Sequence, residues 1–120
     1  MKFRILILAA LLASPATFAH DQLGAHGGRI ADLGMFQGEL VIKEKLVDLY
    51  VTDRAKQPVQ VAGYKGIAIL VADGKAERVI LEPAENNRLT GTSTVALPAK
   101  PEGAVRLTAS DGLIHQAKFD

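Results

Sequence analysis

No cysteine and no tryptophan occur in the 120 residues, and the remaining aromatics are two tyrosines and four phenylalanines. Without cysteine no disulfide supports the fold and no lipid can be attached through a cysteine after export. Burial of Val, Ile and Leu has to hold the structure alone. The missing cysteine and tryptophan also remove the core signature of antibody domains, so any immunoglobulin likeness is one of architecture only. Charge of one sign is scarce as well: 14 Lys and Arg face 13 Asp and Glu. No basic field is available to release counterions from phosphates, and nucleic acid is not an expected partner.

A long hydrophobic run is absent too. The one apolar stretch, residues 5–13, is about half of the roughly 20 residues that a bilayer-spanning helix needs. Preceded by Lys2 and Arg4 and followed by Ser14, Ala16, Thr17 and Ala19, it reads as a cleavable signal peptide, residues 1–19. Thr17 and Ala19 fit the positions before a cut that leaves His20 first. Ser14 and Ala16 offer a second cut, around Pro15. The expected protein is periplasmic, with no membrane anchor after cleavage. Removal of the leader leaves 101 of the 120 residues and, with Lys2 and Arg4 gone, turns the formal charge from +1 to −1. That length supports one domain. Residues 20–28 read as a flexible His/Gly leader and 29–120 as a single β-sandwich.

Short alternating runs follow one another along the chain, with Gly, Asp, Asn and Pro at the breaks. Residues 36–43 put Phe36, Leu40 and Ile42 on one face, and residues 47–52 do the same with Val47, Leu49 and Val51. Only a hairpin fits between them. Residues 67–71 are apolar on both faces, the mark of a central strand. Asp73-Gly74 predicts a primed turn into residues 77–82, because that pair accepts positive φ. Further strands are expected at 88–92 running on through Val95 and Leu97, at 104–109, and at 113–119 after an Asp111-Gly112 turn. The fold class is therefore all-β: an antiparallel, immunoglobulin-like β-sandwich of about seven or eight short strands, with a small barrel as the alternative.

Three histidines are the candidate metal ligands. If cleavage follows Ala19, the free amine and imidazole of His20 form one chelate ring, His26 adds a third nitrogen and Asp21 an oxygen. Such a set suits Cu(II), and neutral imidazole is available at neutral pH. Two histidines six residues apart match no fixed ligand spacing of the C-x-x-C or H-E-x-x-H kind. The competing reading is a solvated polar terminus in which Gly27-Gly28 turns the chain into the sheet. His115 shares a face with Leu113, Ala117 and Phe119, which suits a partly buried histidine; a strand end near the amino terminus makes it a further candidate ligand. Asp53 and Arg54 offer a partner surface, or a strand end closed by an Asx-type turn. Ser93 and Ser110 have no nearby histidine motif, carboxylates are scattered, and no glycine loop joins a strand to a helix, so the protein is not expected to be an enzyme.

The order His26-Gly27-Gly28-Arg29, Phe36-Gln37-Gly38-Glu39-Leu40-Val41 and Val47-Asp48-Leu49-Tyr50-Val51-Thr52-Asp53 resembles a family of small exported bacterial proteins. Leu81-Glu82-Pro83-Ala84 and Asn87-Arg88-Leu89-Thr90-Gly91 continue the likeness. Similar segments occur beside, or fused to, the periplasmic adaptor subunits of heavy-metal efflux systems of the resistance-nodulation-division type, often behind a histidine-rich leader. The present leader has fewer histidines, and Arg54 stands where some relatives have another. The resemblance implies a periplasmic sandwich that handles copper, zinc or cobalt, with His20, Asp21 and His26 as the matching leader positions and an efflux adaptor or other periplasmic protein as partner. A metal-independent interaction module, docking through a sheet edge or the Asp53-Arg54 loop, is the alternative.

Overall fold

Alternating side chains and turns of positive φ produce eight antiparallel strands. The computed structural model describes residues 23–119; the expected signal peptide, His20 and Asp21 lie outside the described residues. The strands are β1 (Arg29–Asp32), β2 (Phe36–Lys43), β3 (Leu46–Asp53), β4 (Lys65–Ala72), β5 (Lys75–Pro83), β6 (Arg88–Thr92), β7 (Gly103–Thr108) and β8 (Ile114–Phe119).

β2 and β3 pair from Phe36↔Asp53 to Lys43↔Leu46 across a two-residue turn. β4 and β5 pair across Asp73 (φ 52°) and Gly74 (φ 76°), both positive, as a primed hairpin turn requires. The apolar run expected beyond residue 92 is not a strand: it crosses as a loop in which the Ser93 and Leu97 amides bond Lys45 and Glu44 carbonyls, with Leu97 buried and Val95 exposed.

The sheet order is β1-β2-β3-β6-β5-β4-β7-β8. β5 explains its continuity. Its first seven residues pair with β4 and its last two, Glu82 and Pro83, with Thr90 and Leu89 of β6, so one strand turns the corner between two halves. The result is one nearly closed, barrel-like sheet where an immunoglobulin-like sandwich of two sheets was expected. Its ends, β1 and β8, approach each other: the Arg29 guanidinium lies 5.0 Å from the centre of the Phe119 ring, and Arg29 Nη1 donates to the Pro101 carbonyl at 2.9 Å.

Inside, Val47, Leu49 and Val51 of β3 meet Leu70 of β4, Val79 and Leu81 of β5, Leu89 of β6 and Val105 and Leu107 of β7, all essentially without solvent contact. β4 is central, as its composition predicts, with β5 on one side and β7 on the other. Its second apolar face is not covered, however, and Ile69 points outward. Leu49→Ala is expected to destabilise the protein by about 2–5 kcal/mol, the cost of a large-to-small change in a filled core. Ile69→Ala should stay within about 0.5 kcal/mol. Urea denaturation of the two variants measures both.

Candidate functional site

A buried carboxylate organises the outer side of β2 and β3. Glu39 alternates outward from Leu40, yet only 6% of its surface meets solvent. The cover is the chain before β1. From Leu23, which bridges Arg29, residues 24–28 close on themselves: the Gly24 amide donates to the Gly28 carbonyl (2.8 Å) and the Gly27 amide to the Gly24 carbonyl (3.0 Å). Glu39 fills the middle of this turn. Its Oε2 accepts the amides of His26 (2.7 Å) and Gly28 (2.8 Å), and its Oε1 lies 2.7 Å from His26 Nδ1. Three donors thus match one carboxylate taken out of water. Sequence reading treats residues 20–28 as a flexible leader; from Leu23 onward the segment is instead tied down by Glu39.

Two glycines make this possible. Gly27 takes φ 77°, a left-handed conformation that a side chain would resist. A Cβ on Gly24 would collide with the Glu39 carboxyl group.

Tyr50 is the direct cross-strand neighbour of Glu39, and Arg88 on β6 that of Tyr50. The His26 ring stacks flat on Tyr50, centroids 3.7 Å apart and planes 9° from parallel. One ring nitrogen is therefore held by Glu39 and one ring face by Tyr50, while 46% of the histidine side chain remains exposed. A carboxylate only accepts, so Nδ1 carries the proton and, in the neutral ring, Nε2 keeps its lone pair. Burial, and then the Asp48 charge, raise the Tyr50 hydroxyl above its ordinary value of 10.0. It stays a neutral phenol at physiological pH.

Asp48, one row further on, accepts from Thr90 Oγ1 (2.6 Å) and from Arg88 Nη1 (3.0 Å). Arg88 also grips Glu85 through two nitrogens, at 2.8 and 2.7 Å. These bonds, the Glu85 pair first, raise the guanidinium further and keep it charged. A cleft of about 390 Å³ opens beside the turn, bounded by His26, Glu39 and Tyr50, with Gln37, Thr52, Lys56 and Asn87 as its other polar side chains.

Of the candidate ligands, His26 is at this cleft. His115 is not: on β8 it faces inward beside Leu107, its ring edge-on to Phe36 with centroids 4.9 Å apart. Phe36 and Glu39 occupy opposite faces of β2, so the sheet separates the two histidines. Among the described residues no three His, Cys, Asp or Glu side chains gather into a metal-holding group. Asp53 forms an Asx-type turn, its Oδ1 accepting the Ala55 and Gln57 amides at 2.8 and 2.9 Å. Glu39, Tyr50, Asp48 and Arg88 escaped sequence reading. Their only signal was a row of polar residues at outward positions, which solvent exposure explains equally well.

Comparison with family models, with curated proteins and with solved structures found no match.

Glu39→Ala leaves the His26 and Gly28 amides without an acceptor and should cost about 1–3 kcal/mol. Hydrogen exchange at those two amides, accelerated in the variant while β4 amides stay protected, checks it. The Glu85–Arg88 pair carries a pH signature. Hydrogen bonding from Arg88 lowers the Glu85 carboxyl below its ordinary 4.5, so the pair stabilises the fold above that value, and the contribution is lost as pH falls through the depressed folded-state value. Glu85→Gln should lower the urea midpoint slightly near pH 7 and leave it unchanged at about pH 2, in keeping with an exposed pair.

Proposed function

We propose that this is a periplasmic accessory protein that binds a divalent metal ion, copper or zinc, through His26 together with His20 and Asp21, and supports metal efflux or resistance. The observation that carries the reading is the 2.7 Å contact between His26 Nδ1 and Glu39 Oε1. A histidine that ligates a metal commonly gives its other ring N–H to a carboxylate, which sets the tautomer, orients the ring and makes the ligating nitrogen more basic. Glu39 is such a partner, buried and therefore immobile, and Tyr50 restrains the ring from below.

Nε2 of His26 supplies one nitrogen. His20 is three residues from Leu23, and three residues span at most about 11 Å, so its donors and Asp21 are covalently kept within reach of the cleft that Leu23 helps to line. Two imidazoles, a terminal amine and a carboxylate form a borderline nitrogen and oxygen set, for which Cu(II) ranks above Zn(II). The resemblance to segments that accompany efflux adaptors points the same way, toward a carrier that takes up an ion and passes it on.

Calorimetry with Cu(II) and Zn(II) on protein recovered from the periplasm tests the reading. His26→Ala should abolish saturable uptake, and Glu39→Gln should weaken it by about 10- to 100-fold, the usual effect of losing an outer-shell carboxylate. Identical heats for the parent protein and a His20→Ala, His26→Ala double variant would overturn it.

A further inference from the structure

The half of the sheet remote from His26 presents a surface of different character. Outward positions alternate along β4 (Lys65, Ile67, Ile69, Val71), β5 (Ala76, Arg78, Ile80, Glu82), β7 (Ala104, Arg106, Thr108) and β8 (Ile114, Gln116, Lys118). Register aligns two rows across them, Ile80-Ile67-Arg106-Gln116 and Arg78-Ile69-Ala104-Lys118. The centre is apolar and open, with Ile69 44% and Ile80 51% exposed. Four cations face a single carboxylate, Glu82. The side chains of Arg78 and Lys118 make no hydrogen bond or ion pair among the described residues, and that of Arg106 makes one long bond, 3.5 Å, to Gln116.

We propose that this face binds an extended segment of a partner protein that carries two apolar side chains two residues apart, flanked by carboxylates. Two depressions supply the seats. One, of about 170 Å³, lies among Ile67, Ile69 and Ala104, with Arg78 and Arg106 on either side. The other, of about 550 Å³, is walled by Tyr64, Ile67, Ile80 and Pro83. Ile67 belongs to both. Both lie along β4, and alternate side chains of an extended chain, about 6.7 Å apart, can enter one each. Arg78 and Arg106, on the strands either side of β4, then meet carboxylates two residues before and after the apolar pair, which an extended chain turns to the same side, and a guanidinium holds a carboxylate through two parallel bonds.

Other occupants fit less well. A second copy would have to bring an acidic sheet face of its own, but the outward carboxylates of β2, β3 and β6 are taken, Glu39 by the 24–28 turn and Asp48 by Arg88 and Thr90. A membrane surface is disfavoured because no outward position on these four strands is aromatic, and interfacial binding leans on such residues.

The test is a titration of the full exported protein with the capped peptide ETITITE, followed by amide chemical shifts, beside the capped peptides ETATATE and KTITITK. Binding should be saturable, with shifts confined to β4, β5 and β7; ETATATE and KTITITK should give none. Arg78→Glu with Arg106→Glu should weaken it at least about tenfold, while Arg78→Lys with Arg106→Lys should retain part of it, and all of these side chains are exposed, so folding is preserved. No shift at millimolar peptide, equal response to ETATATE, or an unchanged affinity in the charge-reversed protein would overturn the proposal. So would concentration-dependent shifts without peptide, which assign the face to a second copy, or arginine-dependent sedimentation with phosphatidylglycerol vesicles and none of the peptide, which assigns it to a membrane.

Discussion

A single carboxylate withdrawn from water governs the shape of the amino-terminal half. Glu39 sits on a strand whose other side already faces the core, and a charge in that position is tolerable only if donors surround it. The 24–28 turn supplies them: two backbone amides and one imidazole N–H. The requirement works in both directions. Glycine is needed at Gly24 so that the chain can approach the carboxylate, and at Gly27 so that the amides can converge on it. The orientation of the His26 ring, its stacking on Tyr50 and the cleft beside it all follow from that one satisfied charge.

Charge is sorted between the two halves of the sheet. On β2, β3 and β6 the outward carboxylates are each engaged, Glu39 by the turn and Asp48 by Arg88 and Thr90, with Tyr50 between them. Cross-strand register places these partners next to one another, the sheet equivalent of the four-residue spacing on a helix. On β4, β5, β7 and β8 the reverse holds, with cations beside isoleucines and little to oppose them. One face has closed its polar interactions internally, and the other has left them open.

The strands were readable because alternation and turn chemistry are local. Val47, Leu49 and Val51 face inward as their period of two demands, and Asp73-Gly74 adopts the conformation that its composition favours. The single curled sheet was not readable in the same way. It depends on β5 exchanging one neighbour for another near Glu82, and no local pattern marks that exchange. Glu39 was missed for a related reason. Its position in the strand says that it points away from the core, and only the fold-back of residues 23–28, a non-local event, turns an outward position into a buried one. His26 was singled out from its residue type, but its restraint by Glu39 and Tyr50 arises from pairs 13 and 24 positions away in the chain.

The corner at β5 has a mechanical meaning. Backbone continuity between the halves of the sheet rests there on two residue pairs, Glu82↔Thr90 and Pro83↔Leu89, and proline has no N–H to give. The halves are joined by the β5 backbone itself, by that short ladder and by interdigitated side chains around Leu49, Leu81 and Leu89. A close-packed interior transmits strain, so the two outer faces are coupled through the shared core rather than through a long ladder of backbone bonds.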